Sequence, residues 1–228
     1  MSSIKLKHSG GNSVSLNPPT SAPTSSEVAF KLPNADGSAN QVIKTDGSGN
    51  FSFVDQPSGG LEMADQWRTV SDYTQAGSNT DVGSSGNSAA PSPAALERAD
   101  GSSIGNYINQ LGSGMTQTGG VFTFPSTGHY LIKATGKFYA NQGAASLKSE
   151  MIIYVTMDGG SNYNEAAVGL VNLQQNGLGD AHAETLFDVT NVSTHKVKFN
   201  VASDTIISVR GNTTKNETYF TFLKLGDT

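Results

Sequence analysis

The sequence predicts an all-β protein, with an extended N-terminal β-arm over residues 1–60 followed by a sandwich-type knob domain over 61–228. Three observations predict it. Apolar residues recur two apart in short runs, the period of a strand, and no helical period lasts beyond two turns. Ser, Thr, Asn and Gly fill 93 of the 228 positions while charged residues make up 14% of the chain, against a usual ~25%, a composition that disfavours long helices carrying paired charges. Clusters of turn-forming residues separate the runs at the spacing of a sandwich or barrel. Leu, Ile, Val and Phe number 48, just enough for collapse, and the net charge of -5 is too small to oppose it.

The arm comes first. Only 12 of its 60 residues are Leu, Ile, Val or Phe, too few to close a private core. They are paired: Ile4/Leu6, Val14/Leu16, Val28/Phe30/Leu32 and Phe51/Phe53 sit two apart, with Pro18-Pro19, Pro23 and Asn34-Ala-Asp-Gly37 between them as punctuation. A ten-residue repeat lays Asn34–Ile43 over Lys44–Phe53, with Asp, Gly, Ser and Asn in matching places, and predicts short strands joined by Asp-Gly turns. Such ribbons have open edges and one half-covered face, so they gain stability from other chains. Lys5 and Lys7 alternate with Ile4 and Leu6, with His8 next along the strand, which makes one face basic and the other apolar and suits docking by strand addition to an acidic partner. Ile4, Lys5, Leu6, Lys7, Val14, Leu16, Phe30 and Leu32 are the candidate anchoring residues.

Beyond the linker-like Pro57-Ser-Gly-Gly60, strand-like runs occupy 66–70, 121–124, 130–139, 151–157, 166–173, 184–189, 196–201, 205–210 and 218–225. Gln75–Ala95 is a small-residue stretch without period. Leu61–Arg68 and Ile104–Leu111 are the two segments with room for a helical turn or two.

The chemistry expected is sparse. With no cysteine there is no disulfide, thiolate site or cysteine nucleophile. No apolar run approaches the ~18 residues of a membrane span, and the start lacks the apolar core of a secretion signal, so the expectation is a product made in the cytoplasm with no membrane insertion. The whole negative excess lies after residue 60, where 10 Lys and Arg face 15 acids, which argues against a nucleic-acid surface. No Gly-x-Ser-x-Gly elbow is present; His129 and His195 read as surface residues, and His182-Ala-Glu184 lacks a third metal ligand. Asp46–Asn50 and Asp158–Glu165 are rich in oxygens, as calcium loops are, yet a turn explains each better. No catalytic residue, metal or cofactor is therefore expected, and no enzymatic activity. Trp67, Tyr73, Tyr107, Tyr139, Tyr154 and Tyr163 are candidates for a sugar-stacking patch, with core or subunit interface as the competing use.

Two resemblances sharpen these expectations. Gly120-Val-Phe-Thr-Phe-Pro-Ser-Thr-Gly-His-Tyr-Leu-Ile-Lys-Ala resembles the signature of the globular head of the first complement component, a jelly-roll family related to tumour necrosis factor, through Phe122, Gly128 and Tyr130. The two aromatic positions that usually follow are Ile132 and Ala134 here. Asp204–Arg210 and Tyr219–Leu225, with Phe220 and Phe222, resemble the last two strands of that fold, without its usual glycine. The resemblance spans roughly residues 61–228 and implies a ten-strand jelly roll forming a homotrimer, with Phe122, Gly128, Tyr130, Phe220 and Phe222 in its signature core. Residues 30–53 resemble a segment common in fibre and appendage proteins of marine tailed phages. Together the two imply a virion structural protein, made in the host cytoplasm: a trimeric fibre-like appendage joined by its arm to head, neck or tail proteins. A capsid decoration protein and a receptor-binding adhesin recognising host surface glycans are the alternatives.

Overall fold

The computed structural model describes residues 4–17, 19–56, 60–76, 79–83, 96–99, 110–140 and 144–228. It divides into two compact units, Met1–Gly59 and Gly60–Thr228, and no helix occurs among the described residues.

The first unit consists of two antiparallel ribbons. Strands β1 (Ile4–Lys7) and β2 (Ser13–Leu16) pair Ile4 with Leu16 and Leu6 with Val14. Strands β3 (Gln41–Thr45) and β4 (Phe51–Asp55) pair Ile43 with Phe53 and Thr45 with Phe51. The second half of the ten-residue repeat thus forms a hairpin, but the first half does not. Residues 34–40 precede β3 as a turn in which the Ser38 N–H donates to Gln41 Oε1 at 2.8 Å, and Gln41–Ile43 begin β3 itself. Val28–Leu32, expected as a strand, pairs through Lys31 in a parallel bridge to Asn50. The chain stops pairing there because Pro33 has no N–H to give and biases Leu32 away from further regular geometry.

The second unit is a two-layer sandwich of thirteen strands among the described residues. In chain order these are β5 (Met63–Thr69), β6 (Ser71–Ala76), β7 (Thr80–Asp81), β8 (Leu96–Arg98), β9 (Thr116–Thr118), β10 (Val121–Thr123), β11 (Gly128–Tyr139), β12 (Ser146–Thr156), β13 (Asn164–Leu173), β14 (Leu178–Val189), β15 (Lys196–Ser203), β16 (Ile206–Asn212) and β17 (Tyr219–Gly226). One sheet runs β13-β12-β15-β10-β9, with β7 also on β15. The other runs β6-β16-β11-β17-β5-β8, with β14 along the other edge of β11. Every strand pair is antiparallel, and partners such as β10 with β15 and β5 with β17 are distant in sequence, the crossing pattern of a jelly roll. Leu61–Arg68, a possible helical turn from sequence alone, is mostly strand β5, since residue-by-residue pairing with β17 decides its conformation. Ile104–Asn109 lies outside the described residues.

Alternation along each strand builds the core. On β11, Tyr130, Ile132, Ala134, Gly136 and Phe138 are buried and the residues alternating with them face outward. Met151 and Ile153 of β12, Val197, Phe199 and Val201 of β15, and Phe220 and Phe222 of β17 complete the interior. The Phe199 and Phe220 rings, one from each sheet, stack at 3.9 Å and tie the layers. Phe122 lies fully buried among Trp67, Phe199 and Phe222 at centroid distances of 5.5, 5.5 and 5.2 Å. Gly136 makes room for this packing: a Cβ there would lie 2.4 Å from the Phe138 ring and 2.7 Å from Met151.

The signature turn has a physical explanation. Gly128 adopts φ +145, which L side chains avoid, and a Cβ would meet Gly226 O at 2.6 Å and Lys224 Cε at 2.5 Å. Two residues on, Tyr130 is buried and its hydroxyl donates to Ser126 O at 3.0 Å, closing the turn that feeds β11 into the sheet. Phe122, Tyr130, Phe220 and Phe222 are therefore core residues and Gly128 a backbone requirement.

A buried ionic cluster pins the short strand β8. Asp65 Oδ1 accepts from Arg98 Nε at 2.9 Å, while Oδ2 accepts from Arg98 Nη2 at 3.3 Å, Trp67 Nε1 at 3.0 Å and the Met115 N–H at 2.7 Å. The Arg98 guanidinium also donates to Met115 O at 2.7 Å and lies 4.8 Å over the Trp67 ring.

Candidate functional site

The anchoring residues named from sequence fall into two groups. Register places Ile4, Leu6, Val14 and Leu16 on one face of the β1–β2 ribbon, 64–70% exposed, with Lys5, Lys7, Ser13 and Ser15 on the other. Phe30 and Leu32 belong instead with the β3–β4 ribbon. Phe30 stacks on Phe51 at 5.3 Å, and Lys31 donates to Gly49 O and accepts from the Phe51 N–H, both at 2.8 Å. Leu32 remains exposed and lines a groove of about 380 Å³ with Pro33, Phe51 and Phe53.

The oxygen-rich loops carry their own ligands. Asp46 Oδ1 accepts N–H groups from Ser48 at 2.8 Å and Asn50 at 3.1 Å, and Oδ2 accepts from Asn50 Nδ2. Asp158 repeats this arrangement: Oδ1 accepts from the N–H groups of Gly160 at 3.3 Å and Asn162 at 3.0 Å, and Oδ2 from Asn162 Nδ2 at 2.7 Å. The Thr156 hydroxyl adds a further bond to Asp158 at 2.6 Å. Each loop is thus an Asp-Gly-x-x-Asn turn closed by the aspartate on its own chain. The Thr156 hydroxyl first, then the Asn162 N–H and side chain, hold the Asp158 carboxyl well below the usual range; for Asp46 the Asn50 side chain leads, followed by the Ser48 N–H. Among the described residues no group of three or more His, Asp or Glu is placed to hold a metal ion. His182 and Glu184, the candidate pair, are engaged separately, with Thr135 Oγ1 at 3.1 Å and Lys133 Nζ at 3.0 Å. His129 lies 3.8 Å from Asp188, while His195 is buried between Thr190 and Thr194, against the surface position expected of it.

The outward face of the β14–β11–β17 sheet is ordered in rows that sequence did not reveal. One row is apolar, Ala64, Leu223, Leu131 and Leu186 in register, with Leu186 69% exposed. On either side of it β11 presents His129, Lys133 and Lys137, opposite Asp188, Glu184 and Asp180 of β14. A row of one histidine and two lysines therefore lies beside an acidic row at the sheet margin, with Lys133 and Glu184 paired at 3.0 Å.

The aromatic candidates separate. Tyr73 is half-buried with its hydroxyl enclosed, and that burial pushes the hydroxyl far above the usual phenol range, while Trp67 packs on Phe122. Tyr139 lies on β11, opposite Leu178 of β14, and Tyr107 lies outside the described residues. Tyr154 and Tyr163 alone among the described tyrosines come together, on the other sheet, where Tyr154 of β12 and Tyr163 just before β13 meet Lys198 of β15: its Nζ is 5.7 Å from the Tyr154 ring and 4.5 Å from the Tyr163 ring.

No protein-family model matches the chain, and no curated protein matches it. Among solved structures it is similar to murine APRIL at pH 5.0, with 11% identity and a TM-score of 0.47 over 72% of this chain and 98% of that one. It is similar to Eiger TNF from S. frugiperda, with 9% identity and a TM-score of 0.48 over 74% of this chain and 96% of that one. The PRD1 vertex protein P5 gives 16% identity and a TM-score of 0.42 over 74% and 100%. The assignment of the second unit as an all-β jelly roll rests on the strand pairings of this chain.

Proposed function

We propose that this chain is a phage virion structural protein, a homotrimeric fibre-like appendage held on the particle by its N-terminal ribbons and displaying the jelly-roll knob. The observation that carries the reading is the β1–β2 ribbon. Two four-residue strands cannot sustain themselves in water, yet they turn four aliphatic side chains outward on one face and two lysines on the other. Such an element acquires stability from a partner that supplies a strand edge or an apolar seat, and Lys5 and Lys7 favour an acidic one.

Self-association of the knob is supported by the outward-facing apolar row of Leu131, Leu186 and Leu223, which a second copy would cover, with the paired charges of β11 and β14 as its polar rim. Three copies are the number implied by the resemblance to the complement-head family. The test is to delete residues 1–32 and follow both mass and particle incorporation. Light scattering of the shortened and full-length proteins should give three times the chain mass, and only the full-length protein should join particles. Incorporation of the shortened protein would place the attachment on the knob. A monomer would remove the trimer.

A second reading, display of a receptor-binding surface, is favoured by the paired tyrosines around Lys198.

A further inference from the structure

We infer that the outer face of the β13–β12–β15 sheet carries a binding subsite for a neutral saccharide, formed by Tyr154, Tyr163, Lys198, Asp81 and Glu165. The inference deepens the display reading and rests on it for its biological role.

Strand register assembles the cluster. Tyr154 of β12 pairs with Glu165 of β13 on one side and Lys198 of β15 on the other, and Asp81 of β7 pairs with Asn200 two residues further along β15. Lys198 Nζ donates to Asp81 Oδ2 at 2.8 Å, and Asn200 Nδ2 to Asp81 Oδ1 at 3.1 Å. The Tyr154 hydroxyl donates to Glu165 Oε2 at 3.4 Å. Tyr163 follows the self-closed Asp158 turn, so its position is set by a loop with its own hydrogen bonds. Asn200 is only 5% exposed, and its Oδ1 has no donor. The Asn200 side chain serves the patch by holding Asp81 through its Nδ2.

The chemistry selects the ligand class. Aromatic rings offer apolar faces to the C–H side of a sugar, while carboxylates and an ammonium, already oriented by one another, meet its hydroxyls as acceptors and donors. Burial first, and then the carboxylates of Glu165 and Asp81 for Tyr154 and of Asp81 and Asp158 for Tyr163, push both phenols above their usual range. Their hydroxyls therefore stay protonated and able to donate at physiological pH. Asp81, Asp158 and Glu165 outnumber Lys198, which disfavours an anionic sugar. A cationic ligand would meet repulsion from the Lys198 ammonium beside both rings. The patch is on the layer opposite the β14–β11–β17 face proposed for self-association, so three copies would present it simultaneously and gain avidity.

The test uses the full-length protein and a panel of neutral hexasaccharides of glucose, mannose, galactose and N-acetylglucosamine, with sialyllactose as the acidic comparator. Saturation-transfer NMR and titration report binding. The expected result is saturable binding of at least one neutral member in preference to sialyllactose, weakened about tenfold or more by Tyr163→Ala and also weakened by Tyr154→Phe, which keeps the ring and the fold. Absence of binding across the neutral panel, preference for sialyllactose, or affinity unchanged in both variants would overturn the inference. Loss of particle incorporation after deletion of residues 1–32 leaves this titration untouched, so the two readings fail separately.

Discussion

Replacing Asp65 by Ala should destabilise the knob by about 4 kcal/mol. The carboxylate side chain is completely buried and serves four donors, two from Arg98 and one each from Trp67 and Met115. Arg98 retains 30% side-chain exposure and its bond to Met115 O, so part of its lost partnership passes to water. The Trp67 and Met115 N–H groups have less recourse, and each unmet buried donor costs about 1–3 kcal/mol. The sum agrees with the ~3–5 kcal/mol typical of breaking a buried ion pair from one side. Trp67 is the single tryptophan of the chain and lies in this cluster, so urea unfolding followed by its fluorescence reads the affected unit directly. A shift below ~1 kcal/mol at unchanged slope would refute the reasoning, because it would mean that Asp65 is solvated in solution.

Three further outcomes are expected. Gly128→Ala should lower stability by about 1–3 kcal/mol from its backbone conformation alone, with more from the collision with Gly226 O, measured as a drop in Tm beside the neighbouring Thr127→Ala control. Phe122→Ala should cost ~3–5 kcal/mol in denaturant unfolding, since the ring is fully buried among four aromatic neighbours; a loss under ~1 kcal/mol would displace Phe122 from the centre of the core. Acid should weaken the fold in a defined window: the Ser146 hydroxyl holds Asp204 below the usual carboxylate range, as Thr156 does Asp158 and the Asn50 side chain Asp46. A folded-state pKa below the unfolded one gives stability that is present above the unfolded value, near 3.8, and is lost as pH falls through the folded value. Denaturation midpoints should therefore be level from about pH 7 to 5 and decline below about pH 4, less steeply in Asp158→Asn.

Much of the fold is legible because alternation survives wherever one strand face is buried. Strand β11 declares itself through Tyr130, Ile132, Ala134 and Phe138, and β15 through Val197, Phe199 and Val201. Strand β6, Ser-Asp-Tyr-Thr-Gln-Ala, has one large apolar residue, and β8 is three residues held by Asp65 and by Glu97 with Arg68, partners some thirty positions away. Neither leaves a local mark. The same holds for the sites. His129, Lys133 and Lys137 recur every four residues, as do Asp180, Glu184 and Asp188, but only the pairing of β11 with β14 turns two spacings into facing columns. Of six aromatic candidates, the sequence offers no means of choosing Tyr154 and Tyr163, because their common neighbour Lys198 arrives through β15.

Strand β17 lies between β11 and β5 and delivers Phe220 and Phe222 to the interior. It leaves the ribosome after both strands it joins. Until it arrives, β5 and β11 have no common neighbour, and Phe199 lacks the Phe220 ring on which it stacks. Folding of this unit therefore waits for translation to pass Gly226, and a polypeptide cut short before Tyr219 would lack the middle of a sheet.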